Sequence, residues 1–320
     1  YYPETPVPLK ARGFPFWGER KWSLMLARLQ KLLLFGLLTA LVGWIWVAVE
    51  YLSPVWMMAG LLALPTAHAG TLALEFVLMY WANRRDPAHP LRVRSACSAW
   101  CAETLVSAWV FYWLQPFRSH AISDQLGLPQ GRRAVVLIHG LVCNRGFWNP
   151  WMRRLRNLGI PCIAINLEPV FGTIDDGAEA IDTAVRQATQ ATGLTPVIVT
   201  HSMGGLSVRA WLRAKSADDR VHRIVTIAAP HHGTALAKLA TSDVARRMRI
   251  GSPWLTALAG AEPPARYRLF TCFYSHSDNI VFPTRHATLP GADNRHVPAS
   301  GHIQMAHRAE VFREVMRWLT

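Results

Sequence analysis

The sequence predicts an α/β fold, a mostly parallel sheet flanked by helices, placed behind a pair of apolar helices. Two observations predict it. From Arg132 onward, short β-branched runs alternate with stretches in helical spacing, the pattern of a parallel sheet covered on both faces. Ahead of them, residues 32–81 carry almost no charge, only Glu50 and Glu75.

The apolar part comes first. Leu32 to Leu52 holds one charged side chain, Glu50, and is long enough to cross a hydrocarbon core of ~30 Å. Pro54 interrupts the chain, and Val55 to Trp81 continues it, apolar with His68 and Glu75 inside. Trp44, Trp46, Tyr51, Trp56, Tyr80 and Trp81 stand toward the ends of the two segments, where aromatic rings favour the membrane interface. A secretory signal would be shorter and would not lead straight into a second apolar run. The expectation is therefore a transmembrane hairpin over 32–82, behind a basic segment over 1–31. Glu50, Glu75 and His68 are expected at the interface or in helix pairing. The chain begins at Tyr1 and not at Met, which leaves room for residues upstream.

Orientation follows from the positive charges. Lys10, Arg12, Arg20, Lys21, Arg28 and Lys31 precede the first span, Arg84, Arg85, Arg92 and Arg94 follow the second, and the turn between has none. Positive flanks stay on the cytoplasmic side. The expectation is a bacterial inner (cytoplasmic) membrane protein whose larger part faces the cytoplasm. Ala99 to Phe117, within a linker over 83–131, is apolar and aromatic but contains Glu103 and Gln115. It reads as an interfacial helix or one packed on the following domain. A third span would reverse the orientation and place a charge at membrane depth.

The net charge is +14, and residues 118–320 carry 24 Lys/Arg against 14 Asp/Glu. Such a surplus suits an anionic bilayer surface or simple solubility; no nucleic-acid motif accompanies it. The five cysteines, Cys97, Cys101, Cys143, Cys162 and Cys272, are odd in number and irregular in spacing. They form neither a disulfide framework nor a zinc set, and read as unpaired, buried thiols of a reducing compartment.

Within 132–320, Ala134–Ile138, Cys162–Leu167, Pro196–Thr200, Val221–Ala228 and Arg268–Tyr274 read as strands. Phe147–Leu158, Asp175–Thr192, Met203–Lys215 and Ile303–Leu319 read as helices. Residues 229–265 are irregular, and their part 235–265 is either a small cap or a plain connection. Arg246, Arg247 and Arg249 beside Trp254, Leu255 and Leu258 would suit contact with anionic lipid.

Chemistry concentrates where strands end. Thr200-His201-Ser202-Met203-Gly204-Gly205 lies between a strand and a helix. A sharp turn there lifts a serine hydroxyl out of the sheet and requires small residues around it. Gly204 and Gly205 are small; Thr200, where the G-x-S-x-G pattern has Gly, is not. Ile138-His139-Gly140-Leu141 ends the first strand. Leu141 and Met203 are the candidates for the two main-chain N–H groups of an oxyanion hole. His139 is expected to order its loop, because a base preceding the serine contradicts the order Ser, acid, His. In that order Asp278 is the acid and His302 the base, which takes the Ser202 proton. Asp293 is the runner-up acid; Asp243, His276, His286, His296 and His307 are further competitors. His231 and His232 lack partners at metal-ligand spacing.

These residues resemble the α/β-hydrolase superfamily, and within it the small bacterial lipases and esterases with a minimal sheet. VVLIHG at 135–140, THSMGG at 200–205, the run Ala229 to Thr234, YSHSDNIV at 274–281 and SGHI at 300–303 carry the resemblance. It implies hydrolysis of carboxylic esters, with a lipid or acyl ester as substrate, through Ser202, Asp278 and His302, and no cofactor. Gly140 and Gly204 would support the site. A thioesterase or amidase on the same triad, and a non-catalytic lipid-binding scaffold, are the alternatives. The hairpin is not part of that pattern.

Overall fold

The computed structural model describes residues 25–86, 88, 91–127, 131–170 and 172–319. The basic residues Lys10, Arg12, Arg20 and Lys21 lie outside them. Six strands form one parallel sheet in the order β2-β1-β3-β4-β5-β6. They are β1 (Val135–Ile138), β2 (Cys162–Ile165), β3 (Val197–His201), β4 (Arg223–Ile227), β5 (Phe270–Tyr274) and β6 (Asp293–His296). Chain order reverses at β1, which has β2 on one side and β3 on the other. At such a switch point the loops leaving the strands diverge and open a crevice.

Side chains alternate across the sheet, so each β1 residue serves one of two cores. Val135 and Leu137 pack with Trp148, Trp151, Met152 and Leu155, and with Val311, Phe312 and Val315. These come from α4 (Asn149–Asn157), its leading turn, and α10 (Ala309–Arg317). Val136 and Ile138 pack with Ile181, Val185, Leu206, Trp211 and Leu258, from α5 (Ala178–Thr192), α6 (Gly204–Lys215) and α8 (Pro253–Gly260). Helices on both faces explain why the central strands are β-branched without polar alternation.

Two expected elements differ. The polar stretch 293–296 is a strand, β6, paired with β5 from Thr271↔Asp293 to Tyr274↔His296. It lies at the sheet edge and is only partly buried, so it needs no apolar run. The closing helix is two pieces, α9 (His302–Ala306) and α10. They part at His307, whose half-buried ring packs against Phe147 and Trp109.

The N-terminal part begins with α1 (Met25–Tyr51) and α2 (Pro54–Asn83), both long and apolar enough to cross a membrane. Ser53 is extended and Pro54 opens α2, where its missing N–H costs nothing. Large apolar side chains from Leu29 to Leu64 face outward along both helices. The later turns of α2 are different: Phe76 and Met79 are buried with Ala96 and Ala99 of α3 (Val93–Trp109) and with Phe282. After Trp109 the helix widens by a π-type turn over Val110–Leu114 and runs on to Arg118. Val110 and Leu114 enter the core beside Phe147 and Trp148. Residues on both sides of the expected 131/132 division thus share one core.

The cysteines are all free, but only Cys143, Cys162 and Cys272 are buried. Cys97 and Cys101 are exposed on α3, against the expectation of burial, because positions four apart share the outer face of that helix.

Candidate active site

Ser202 follows the last residue of β3 and has φ +54°, a left-handed conformation that costs a non-glycine residue about 1 kcal/mol or more. Three neighbours show why it is held. The Ser202 N–H donates to Ile227 O at 2.9 Å, and the Gly205 N–H to Ser202 O at 3.0 Å. A Cβ on Gly140 would stand 2.8 Å from Ser202 Cβ, and one on Gly204 2.6 Å from His139 O. The loop after β1 and the turn after β3 therefore touch through two glycines, at the switch point of the sheet.

Gly205 packs beneath the turn, beside Thr200. A Cβ on Gly205 would meet Ala229 Cβ at 2.6 Å and Thr200 Oγ1 at 3.4 Å. The close conflict is with Ala229; the distance to Thr200 is an ordinary contact.

His139 is fully committed to its loop. Its Nε2 accepts the Leu167 N–H at 3.0 Å, so Nδ1 carries the proton and donates to Gly140 O at 2.9 Å. Burial pushes its pKa down to about 4, which keeps the ring neutral. Leu141 and Met203 border one cleft beside the turn, with Leu167, Ile174 and Val244 on its walls. Glu168 also faces this cleft. Burial lifts its carboxyl to about 7, against the Val170 N–H.

Asp278 lies in the loop after β5 and is 1 % exposed. Its Oδ1 accepts the Ile280 and Val281 N–H groups, each at 2.9 Å. The same oxygen is 3.0 Å from His302 Nδ1, and Oδ2 is 3.2 Å from it. His302 opens α9 and is buried. Burial works to lower its pKa, but the charge and hydrogen bond of Asp278, aided by Glu103, carry it above the ordinary imidazole value. With Nδ1–H given to Asp278, Nε2 is the free basic position.

Sequence reasoning gave His201 no part. Its Nε2 donates to the His302 carbonyl oxygen at 3.0 Å, its ring is 4.7 Å from that of His302, and its other side stacks on Phe147 at 4.6 Å. Burial first, then the charge of His302, holds its pKa well below the usual value. The residue before the serine thus ties the serine turn to the main chain of the candidate base.

The competitors stand elsewhere. Asp293 begins β6, at the amino end of the sheet, and pairs with Arg295 at 2.9 Å. Asp243 pairs with Arg247 at 2.8 Å in α7 (Asp243–Arg247). His276 and His296 contact each other at 3.2 Å, and His286 bonds His232 O at 2.8 Å. His231 contacts Thr226 Oγ1 at 3.0 Å. In the stretch 235–265, Arg247 and Trp254 both bond Asp175 Oδ2, at 2.6 and 2.9 Å. They turn inward and fasten α7 and α8 to the start of α5, so this pair is not presented to a bilayer.

A parallel sheet, a strained serine between β3 and a helix, and a buried carboxylate–imidazole pair after β5 meet at one end. A model of the alpha/beta hydrolase family matches residues 135–290. The chain carries an α/β-hydrolase domain. A mature Bacillus licheniformis lipase superposes on it with a TM-score of 0.52 at 20 % identity, over 61 % of this chain and 96 % of that one. The propeptide form of that lipase gives 0.53 at 20 % identity, over 61 % and 52 %. At such identity the likeness shows the hydrolase fold alone. No curated protein matches the chain in sequence.

Proposed function

We propose that this protein is a membrane-anchored serine hydrolase that cleaves carboxylic esters, with lipid or acyl esters as its substrates. The observation that carries the reading is the Asp278–His302 pair, tied through His201 to the residue beside a left-handed Ser202. The solved structure reported above, in its mature and propeptide forms, is named as a lipase.

In this reading His302 Nε2 takes the Ser202 proton as Oγ attacks the ester carbonyl. The oxyanion is received by the N–H groups of Leu141 and Met203. The proton then passes to the departing alkoxide, and water, activated by the same imidazole, releases the acid from the acyl-enzyme. Asp278 fixes the tautomer and stabilises the imidazolium. The outward apolar faces of α1 and α2 support the anchor. The Arg84, Arg85, Arg92 and Arg94 flank, with an uncharged turn opposite, supports a cytoplasmic hydrolase domain at the inner membrane.

A fluorophosphonate probe is expected to label the wild type in proteoliposomes and to leave Ser202→Ala unlabelled; equal labelling of the two would overturn the assignment. Catalysis needs neutral His302, whose pKa is raised. The acidic limb of kcat/KM on a p-nitrophenyl ester is therefore expected above pH 6.5, and a limb well below it would count against His302 as the base.

A further inference from the structure

Side chains from the apolar N-terminal helices reach the loops that carry Asp278 and His302. Glu103 of α3 is 1 % exposed. Its Oε1 accepts the Ile303 N–H and its Oε2 the Gln304 N–H, both at 2.8 Å. Gly301 makes this approach possible: a Cβ there would stand 2.5 Å from Glu103 Oε2 and 2.8 Å from its Cβ and Cδ. Glu75 of α2 accepts from Asn279 Nδ2 at 2.7 Å, and Asn279 Oδ1 accepts the His302 N–H at 3.1 Å. The N–H groups of residues 302, 303 and 304 are thus all received by side chains, two of them by Glu103 and one through Glu75's partner. Asn83, at the end of α2, brackets the acid loop: it donates to His276 O at 3.1 Å and accepts the Thr284 N–H at 3.0 Å.

A carboxylate at the Glu103 position is expensive. Burial lifts it to about 7, against the pull of its two N–H partners and of His302. An apolar side chain would pack the helix onto the domain without that cost. What an apolar residue could not do is hold α9 by its first N–H groups and set a negative charge behind the imidazole.

We propose that Glu103 and Glu75 are positioning residues that hold His302 for proton transfer and favour its charged form, which makes the N-terminal helices part of the catalytic apparatus. The proposal rests on the reading of Ser202, Asp278 and His302 as the triad. The groups that face His302 are Asp278 from the β5 loop, His201 from β3, Glu103 from α3 and Glu75 from α2; His307 of the α9–α10 break acts on His201. His201 and His307 are held neutral by burial, so the two remote carboxylates are the charges that add to Asp278.

The test uses the full chain in liposomes, with fluorophosphonate labelling rate, kcat and KM followed against pH. Glu103→Gln keeps the shape but turns an amide NH2 toward a main-chain N–H and removes the charge. It is expected to lower kcat by ~10- to 100-fold, the range for a misplaced catalytic group, to leave KM within about twofold, and to move the acidic limb to lower pH. Glu103→Asp keeps the charge and is expected to restore the limb while recovering only part of kcat. Glu75→Gln can still accept from Asn279, so it is expected to shift the limb with little loss of kcat. Leu105→Gln, on the exposed face of α3, is expected to match the wild type. If the wild type is labelled and Glu103→Gln and Glu75→Gln keep its kcat and its limb, this inference falls and the triad stands. A lower yield of folded Glu103→Gln with an unchanged limb in the active fraction would likewise overturn it. If the wild type is neither labelled nor hydrolytic, the triad itself falls.

Discussion

The turn that carries Ser202 and the loops that carry Asp278 and His302 meet at one end of the sheet, but they are held in different ways. The turn is held by its immediate surroundings: a main-chain bond to Ile227, contact with the loop after β1, and glycines at 140, 204 and 205 where no Cβ fits. The acid and base loops are held by distant side chains, with Asn83, Glu75 and Glu103 nearly two hundred residues or more away in sequence. Backbone geometry makes the first arrangement rigid by exclusion. The second draws part of its support from the N-terminal helices. The difference teaches that the turn of the proposed nucleophile is set by its own surroundings, while the loops of the proposed acid and base lean on the apolar N-terminal helices.

The largest effect is expected at the acid. Asp278→Asn leaves one oxygen for the Ile280 and Val281 N–H groups but presents an NH2 to Nδ1 or fixes the wrong tautomer. By analogy with other triads, kcat is expected to fall ~10⁴-fold, measured on a soluble ester with folding checked by circular dichroism. A loss smaller than tenfold would remove Asp278 from the triad and with it the contrast between the two regions.

The order of these effects follows what sequence could and could not reveal. The turn was legible because its constraints are local: five residues of strand, a serine, two glycines and a helix. The His139-Gly140 loop, Asp278 and His302 were legible as motifs at strand ends. His201 was not, because its role is to bond the carbonyl of a residue a hundred positions away, and no spacing records that. Glu75 reads from sequence as an interface or helix-pairing residue, and Glu103 only as a charge that argues against a third span. Their reason appears only once α2 and α3 are seen against the loops they hold. Strand β6 escaped for a different cause: an edge strand of Asp, Asn, Arg and His has no periodicity to read.

The turn itself gives the next test. In Gly204→Ala the added Cβ would lie 2.6 Å from His139 O and 3.0 Å from Ile138 O, both main chain and slow to yield. Overpacking of this kind costs ~1–3 kcal/mol, which a thermal melt would read. The variant should also lose activity, since the shifted atoms belong to the loop that carries the Leu141 N–H. Because the damage is local, the pH of the acidic limb should stay where it is. A shifted limb would mean that turn and base loops are one unit, and the contrast would need to be redrawn.

The smallest effect is expected at Thr200. Thr200 is fully buried in β3, and its hydroxyl lies beside Gly205. Placing the small residue there, Thr200→Gly, relieves no clash, because Thr200 makes none with Gly205. The change instead takes a β-branched side chain out of the middle of a central strand, at a cost of roughly 1 kcal/mol on the β-propensity scale plus a small cavity. A lower melting temperature with kcat and KM within about twofold of wild type is therefore expected. The double variant Thr200→Gly with Gly205→Ala sharpens the point. The new Cβ at 205 would lose its contact with Thr200 but still meet Ala229 Cβ at 2.6 Å. If Gly205 serves mainly to admit Thr200, the double variant should be more active than Gly205→Ala alone. If the Ala229 contact decides, the two should be equally impaired, and Thr200 is then an independent choice of the strand and not the cause of the second glycine.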